Sequence, residues 1–96
     1  MDDLVKSIGE LVKTRNQIAR RAEQQYTLEV EALLKAQSRE PRRIEHLLGG
    51  MLDFCFDSEM LRLYKKLCRY YFKIDPEATA SYVYAYRDMW DEEGER

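Results

Sequence analysis

The chain has 96 residues and a net charge of −2, with 45% hydrophobic and 35% charged residues. This is enough for one domain, and the composition is that of a globular protein rather than a disordered one. Four glycines and two prolines are too few for the many turns of a β-sandwich, and no apolar run approaches the ~20 residues of a membrane-spanning helix. The acidic start MDDLVKSIGE is unlike a signal peptide, so we expect a cytoplasmic protein with no membrane partner.

The first predicted element is a long helix over residues 3–37. Apolar residues recur there at spacings of three and four, beginning with Leu4, Ile8 and Leu11. At 1.5 Å per residue the helix is about 50 Å long. Either it breaks near residues 14–16, or it extends beyond the core of its own domain. The stretch 13–25 has few apolar residues, so it is a poor core element and a thin coiled-coil seam.

Three shorter helices are predicted over residues 41–56, 58–74 and 76–92, followed by a frayed acidic tail over 93–96. Proline at the first helical position and aspartate N-caps indicate where these helices begin. Gly49-Gly50 predicts a close approach of another helix, a kink or a break. The expected fold is a single all-α domain, with three helices packed around half of the long one. The predicted core consists of Leu4, Ile8, Leu11, Ile18, Leu33, Ile44, Leu48, Met51, Leu52, Leu67, Tyr71, Val83 and Trp90.

The segment RLYKKLCRYYFK combines five cations with four aromatic residues and no acid. On a helical wheel the cations share one side, the basic ridge, opposite an apolar side, and Tyr70 and Phe72 flank the ridge. Such a ridge binds nucleic acid, docks an acidic helix, or is ordinary solvated surface. Exposure of both flanking aromatics indicates binding, and burial of both indicates plain surface. The ridge consists of Arg62, Lys65, Lys66, Arg69 and Lys73.

Two further charged surfaces are predicted, one on the first helix and one at the end of the last helix. Lys13, Arg20 and Arg21 form a basic surface on the first helix, on a stretch rich in glutamine. An acidic surface complements the basic ridge, so the two can pair within one chain or between chains of an oligomer. The acidic surface consists of Asp88, Asp91, Glu92 and Glu95.

Tyrosines are unusually concentrated, since six of the seven fall between residues 64 and 86. A core this small cannot bury all of them with every hydroxyl satisfied, and exposed tyrosine and tryptophan are enriched at protein interfaces. The alternative is that they pack in the core with their hydroxyls reaching water. The candidate partner interface consists of Tyr70, Phe72, Tyr82, Tyr84, Tyr86 and Trp90.

The sequence has little support for catalysis. His46 is the sole histidine, and no phosphate-binding loop or nucleophile motif can be assembled. Cys55 and Cys68 lie among apolar residues, as expected for buried free thiols. We therefore predict no enzymatic activity, no metal site and no cofactor.

Two functions remain for a small helical protein of this kind. The first is a non-enzymatic protein–protein interaction module with an adaptor or regulatory role, which binds a protein partner or itself as a homo-oligomer. The alternative is a nucleic-acid-binding regulator that uses the basic surfaces of the first and third helices. The net negative charge counts against the second.

Overall fold

The computed structural model describes residues 2–90, which form four helices: α1 (Asp2–Lys35), α2 (Pro41–Leu52), α3 (Ser58–Phe72) and α4 (Pro76–Trp90). No strand occurs in this part of the chain, so the predicted all-α, four-helix fold is confirmed. Helix α2 ends four residues before its predicted end, because residues 53–56 form tight turns instead. The predicted tail over 93–96 lies outside the described residues.

Polar caps set the starts of the last two helices, as the sequence predicts. The carboxylate of Asp57 accepts from the backbone N–H of Met60 at 3.0 Å, and that of Asp75 accepts from the N–H of Ala78 at 3.0 Å. Each bond satisfies one of the backbone donors that a helix start leaves unpaired. Helix α1 ends at Lys35, and Gln37, with a φ of 52°, turns the chain toward α2.

The core lies where α3 packs against each of the other three helices. Leu33 of α1, Leu48 of α2 and Leu67 of α3 are fully buried, and Leu52 and Trp90 are partly buried. Within residues 2–90, α1 and α4 make no contact with each other. The predicted core residues that the structure confirms as buried are Leu33, Ile44, Leu48, Met51, Leu67 and Tyr71.

The first half of α1 extends beyond the bundle as a continuous helix. Every residue from 3 to 18 is exposed, and the first buried residue is Ala19. We call residues 3–18 the arm; it contributes to the molecule's longest dimension of 53 Å, against a shortest one of 17 Å. The core predictions at Leu4, Ile8, Leu11 and Ile18 are therefore wrong, because none of the three other described helices covers the arm. The prediction at Val83 is also wrong, because this residue faces a surface groove.

Helix α2 continues without a break through Gly49 and Gly50. Gly50 permits a close approach of a side chain from α1. A Cβ at Gly50 would collide with the hydroxyl of Tyr26 from α1, whereas a Cβ at Gly49 would meet open space. The neighbour is thus a side chain of α1, and it brings the first two helices together.

Candidate protein-interaction surfaces

The arm carries an apolar stripe that none of residues 2–90 covers. Six aliphatic side chains of the arm are each more than half exposed. These are Leu4 (65%), Val5 (69%), Ile8 (52%), Leu11 (70%), Val12 (53%) and Ile18 (53%). Contiguous apolar surface of this kind is typical of protein-interaction sites rather than of ordinary solvated surface. We call these six residues the arm stripe.

The arm stripe continues the side of α1 that faces the bundle. On a helical wheel at 100° per residue, the five aliphatic residues from Leu4 to Val12 lie within a sector of about 120°. Ile18 lies at the edge of this sector. Ala19, Tyr26 and Val30, which pack on the bundle, fall in the same sector. The arm therefore presents an apolar side of the width used by core-facing helices, but beyond the end of the core.

The edges of the arm stripe carry no charge over its first three turns. Ser7 and Thr14 lie along one edge, and Thr14 donates its hydroxyl to the carbonyl of Glu10 at 2.9 Å. Arg15 falls in line with the stripe, but its guanidinium carbon lies 3.7 Å from the centroid of the Phe56 ring. This cation–π contact holds the Arg15 side chain against its own domain, and residues 3–14 of the arm extend beyond that contact.

A second apolar surface is the groove between α3 and α4. It comprises two adjoining depressions of about 260 and about 220 Å³ that share Val83. Phe72 and Tyr84 line the first depression and are 58% and 61% exposed. Lys65 and Arg69 of the basic ridge line the second depression.

The two aromatics that flank the basic ridge differ in their surroundings. Tyr70 is half-buried and donates its hydroxyl to the backbone carbonyl of Ser38 at 2.7 Å, which ties α3 to the loop after α1. Phe72 is largely exposed beside the groove. All five cations of the ridge are exposed. Of the two flanking aromatic residues, Phe72 is therefore the one exposed for contact with a partner.

Most of the other predicted interface aromatics are engaged within the domain. Tyr82 is half-buried, the ring of Tyr86 lies 6.2 Å from that of Tyr64, and the Trp90 indole donates to the Leu52 carbonyl at 2.7 Å. The Trp90 ring also packs 5.8 Å from Phe56. Of the six candidates, Phe72 and Tyr84 are the ones that the structure places at the surface.

Glu45 joins two tyrosines in a polar contact that sequence reasoning missed. Its carboxylate accepts a hydrogen bond from the Tyr71 hydroxyl and a longer one, 3.3 Å, from the Tyr82 hydroxyl. Burial and the Glu45 contact raise the pKa of Tyr71. No buried side-chain polar atom among the described residues lacks a partner. The contact links α2, α3 and α4, and no short-range pattern reveals it, since its residues lie 26 and 37 positions apart.

The remaining charged candidates lie on separate parts of the surface. Lys13 and Arg20 line a shallow polar recess of about 230 Å³ on α1, and Arg21 is exposed nearby. Asp88 is exposed on α4. The other three predicted acidic residues, Asp91, Glu92 and Glu95, lie outside the described residues.

The thiol and imidazole side chains of the described residues differ in burial. Cys55 and Cys68 are buried free thiols, and burial raises their pKa to about 12 and about 11. His46 is exposed on α2. Residues 2–90 contain no group of three or more side chains able to hold a metal ion. None of the helices that the structure describes is long and apolar enough to cross a membrane.

Comparison of the chain with protein-family models, with curated proteins and with solved structures found no significant match. The features of the described residues that bear on function are the arm stripe, the α3–α4 groove and the basic ridge.

Proposed function

We propose that the protein is a non-enzymatic interaction module that binds a second copy of itself through the arm, in an adaptor or regulatory role. The observation that carries this proposal is the arm stripe: six aliphatic side chains, all more than half exposed, on the part of α1 that extends beyond the bundle. A second arm offers the same apolar surface, so each covers the other.

The exposed area supports association of moderate strength. Full burial of a Val, Leu or Ile side chain contributes about 1.5–3 kcal/mol, so the exposed half of each contributes about 1 kcal/mol. Six side chains in each of two copies then contribute on the order of 10 kcal/mol. Association itself costs roughly 4–15 kcal/mol. The two contributions are of comparable size, so the population of the dimer depends on protein concentration.

The two arms fit together only in opposite directions. The bundle lies on the same side of α1 as the arm stripe, so parallel arms would force both bundles into the space between the two helices. Antiparallel arms place the bundles at opposite ends, and each arm continues in line with the partner's bundle. With the two-fold axis near Gly9, Ile8 of one copy meets Leu11 of the other, as in an antiparallel coiled coil.

The solution mass tests the proposal. We expect a concentration-dependent increase from 11.5 kDa toward twice that value by light scattering or sedimentation equilibrium. The dimer persists between ~0.05 M and ~1 M salt, because the surface between the arms is apolar. Substitution Ile8→Glu with Leu11→Glu produces a monomer, whereas the matched pair Gln17→Glu with Gln24→Glu, on the polar side of α1, leaves the dimer intact. A wild-type monomer at high micromolar concentration contradicts self-association.

Spin labels test the direction of the arms. With a label at Gln24→Cys, the antiparallel arrangement separates the two labels by about 40 Å along the helix axis, whereas a parallel one brings them within about 20 Å. The buried native thiols, whose pKa values are raised by burial, react slowly with the labelling reagent. A short label distance contradicts the antiparallel arrangement and leaves self-association to the mass measurement.

Nucleic-acid binding is the second candidate, and exposed Phe72 beside the basic ridge supports it. Exposed aromatics stack on bases while cations neutralise phosphates. The engaged Tyr70 and the net charge of −2 count against it. It predicts binding of a single-stranded oligonucleotide whose log affinity falls by about 0.7 per phosphate contact as log salt rises. Absence of binding at low salt excludes it.

A further inference from the structure

The groove between α3 and α4 is long enough for a short helix. From Leu61 to Phe72, α3 forms one wall over about 16 Å, or three turns. Its two depressions meet at Val83, so the groove is continuous across the middle of α4. Helices that dock in grooves of this length use anchors spaced three and four residues apart.

The floor of the groove is apolar. Leu61 and Phe72 of α3 and Ala80 and Val83 of α4 supply carbon surface, and Phe72 and Val83 are 58% and 42% exposed. The aliphatic side chains offer no hydrogen-bond partners for the edges of a base. This floor suits leucine-like side chains better than nucleotides.

The α3 wall of the groove is basic. Lys65 and Arg69 line it one helical turn apart, both exposed, and the basic ridge continues behind them. On the α4 side Arg87 lines the groove, while Glu77 and Asp88 are exposed on the outer face of that helix. The charge that an occupant meets along the α3 wall is therefore positive.

We propose that this groove binds an amphipathic helix of another protein, which places its apolar stripe on Val83 and Phe72 and its acidic side chains, one turn apart, against Lys65 and Arg69. Shape provides the helix site, and charge complementarity selects an acid-flanked helix over others. The proposal is independent of self-association, since no residue of the groove belongs to the arm.

The arm of a second copy matches this groove less well than an acid-flanked helix does. The acids among residues 3–18 are Asp3 and Glu10, which lie two turns apart, and Lys6 falls between them. Lys65 and Arg69 are one turn apart, so the arm cannot place an acid opposite both. We therefore assign the groove to a helix of another protein rather than to the arm of a second copy.

Fluorescence anisotropy with two synthetic helical peptides tests the proposal. Both are about 14 residues long with leucines at i, i+3 and i+7. One has glutamates one turn apart along the flank of the leucine stripe, and the other has lysines there. The protein variants are Lys65→Glu with Arg69→Glu, Val83→Glu, and the control Lys66→Glu with Lys73→Glu, which changes net charge equally on the ridge away from the groove.

We expect wild type and the control to bind the glutamate peptide at least about tenfold more tightly than the lysine peptide. Lys65→Glu with Arg69→Glu reverses this preference, and Val83→Glu abolishes binding of both peptides, with helical content by circular dichroism unchanged in every variant. The arm variant Ile8→Glu with Leu11→Glu retains peptide binding while it loses self-association, so the two proposals fail separately.

Three results overturn the groove proposal. The first is no binding of the glutamate peptide at about 1 mM, or equal binding of the two peptides. The second is displacement of the bound peptide by a synthetic arm peptide, which assigns the groove to a second copy. The third is displacement by oligo(dT) at lower concentration than by unlabelled glutamate peptide, which assigns it to nucleic acid.

Discussion

At the scale of single residues, Tyr26 occupies the space that a side chain at position 50 needs. The two adjacent glycines of α2 therefore differ, although both are helical: position 49 faces open space, and position 50 faces the Tyr26 hydroxyl. Glycine within a helix costs about 1 kcal/mol relative to alanine, because its backbone loses more freedom on folding. At position 50 the glycine leaves space for the Tyr26 side chain, so the contact between α1 and α2 offsets this cost.

The two glycines permit a matched pair of substitutions. Gly49→Ala is expected to raise the free energy of unfolding by about 1 kcal/mol, because the new methyl group meets nothing. Gly50→Ala forces Tyr26 to move, so its unfolding free energy falls at least about 1 kcal/mol below that of Gly49→Ala. Urea unfolding of both variants measures the difference. Equal stabilisation by the two substitutions contradicts the close approach of Tyr26.

The contacts of Glu45 could not be predicted from the sequence, although the burial of its neighbours could. Burial of Ile44 and Leu48 on α2 is predictable from spacing alone. The bonds from Tyr71 and Tyr82 to Glu45 are not, because they depend on which faces of three helices meet. These bonds allow a core with few residues to bury tyrosine hydroxyls, which otherwise require water.

At the scale of helices, the arm is separate from the cooperative core. Its residues are exposed throughout, and its contact with the bundle is the stacking of Arg15 on Phe56. Its helix is a continuation of the packed half of α1, from Ala19 onward. Isolated helices of this length are marginal in water, so the arm gains by pairing with another helix.

Deletion of residues 2–14 tests whether the arm is separate. We expect the unfolding free energy of the monomer to change by less than about 0.5 kcal/mol, because no buried contact is lost. By contrast, Leu33→Ala in the packed half of the same helix costs about 2–5 kcal/mol, because it leaves a cavity. Thermal unfolding, at protein concentrations too low for dimers to form, measures the unfolding free energy of both variants. A loss of stability on deletion similar to that of Leu33→Ala contradicts an independent arm.

The helix starts were predictable from sequence, while the environment of the arm was not. Asp57 and Asp75 act as caps through local hydrogen bonds, so a few neighbouring residues suffice to predict them. Apolar spacing identifies which side of a helix is apolar but contains no information on whether another helix lies against it. Leu4 and Ile8 have the same spacing as buried residues, but they are exposed because no described helix packs against the arm. The early end of α2 was missed because Phe54 and Phe56 continue its apolar content without a helix breaker.

The α3–α4 groove was partly predictable. The wheel places the cations of the ridge on one side of α3, and the structure places Lys65 and Arg69 beside the apolar depression. The depression itself depends on the separation of α3 and α4, which no single-helix pattern specifies. The exposure of Val83 follows from that separation, and its apolar character led to the wrong prediction that it is buried.

At the scale of the whole molecule, the core keeps four weakly acidic groups in their neutral forms. Burial raises the pKa of Cys55 to about 12 and that of Cys68 to about 11, and it also raises the pKa of Tyr64 and Tyr71. The ordinary values are 9.0 for the thiols and 10.0 for the tyrosines. Above these values the unfolded chain loses protons that the folded chain retains.

Stability should therefore fall in alkali. Because the unfolded state binds fewer protons above about pH 9, the free energy of unfolding decreases as pH rises, by at most about 1.4 kcal/mol per pH unit for each retained proton. Below pH 9 both states hold these protons, and this contribution is constant. Tyr64→Phe removes one such proton, so its slope between pH 10 and pH 11 is shallower than that of wild type. Urea unfolding at stepped pH measures both slopes, and a Tyr64→Phe slope equal to that of wild type contradicts a buried, neutral Tyr64.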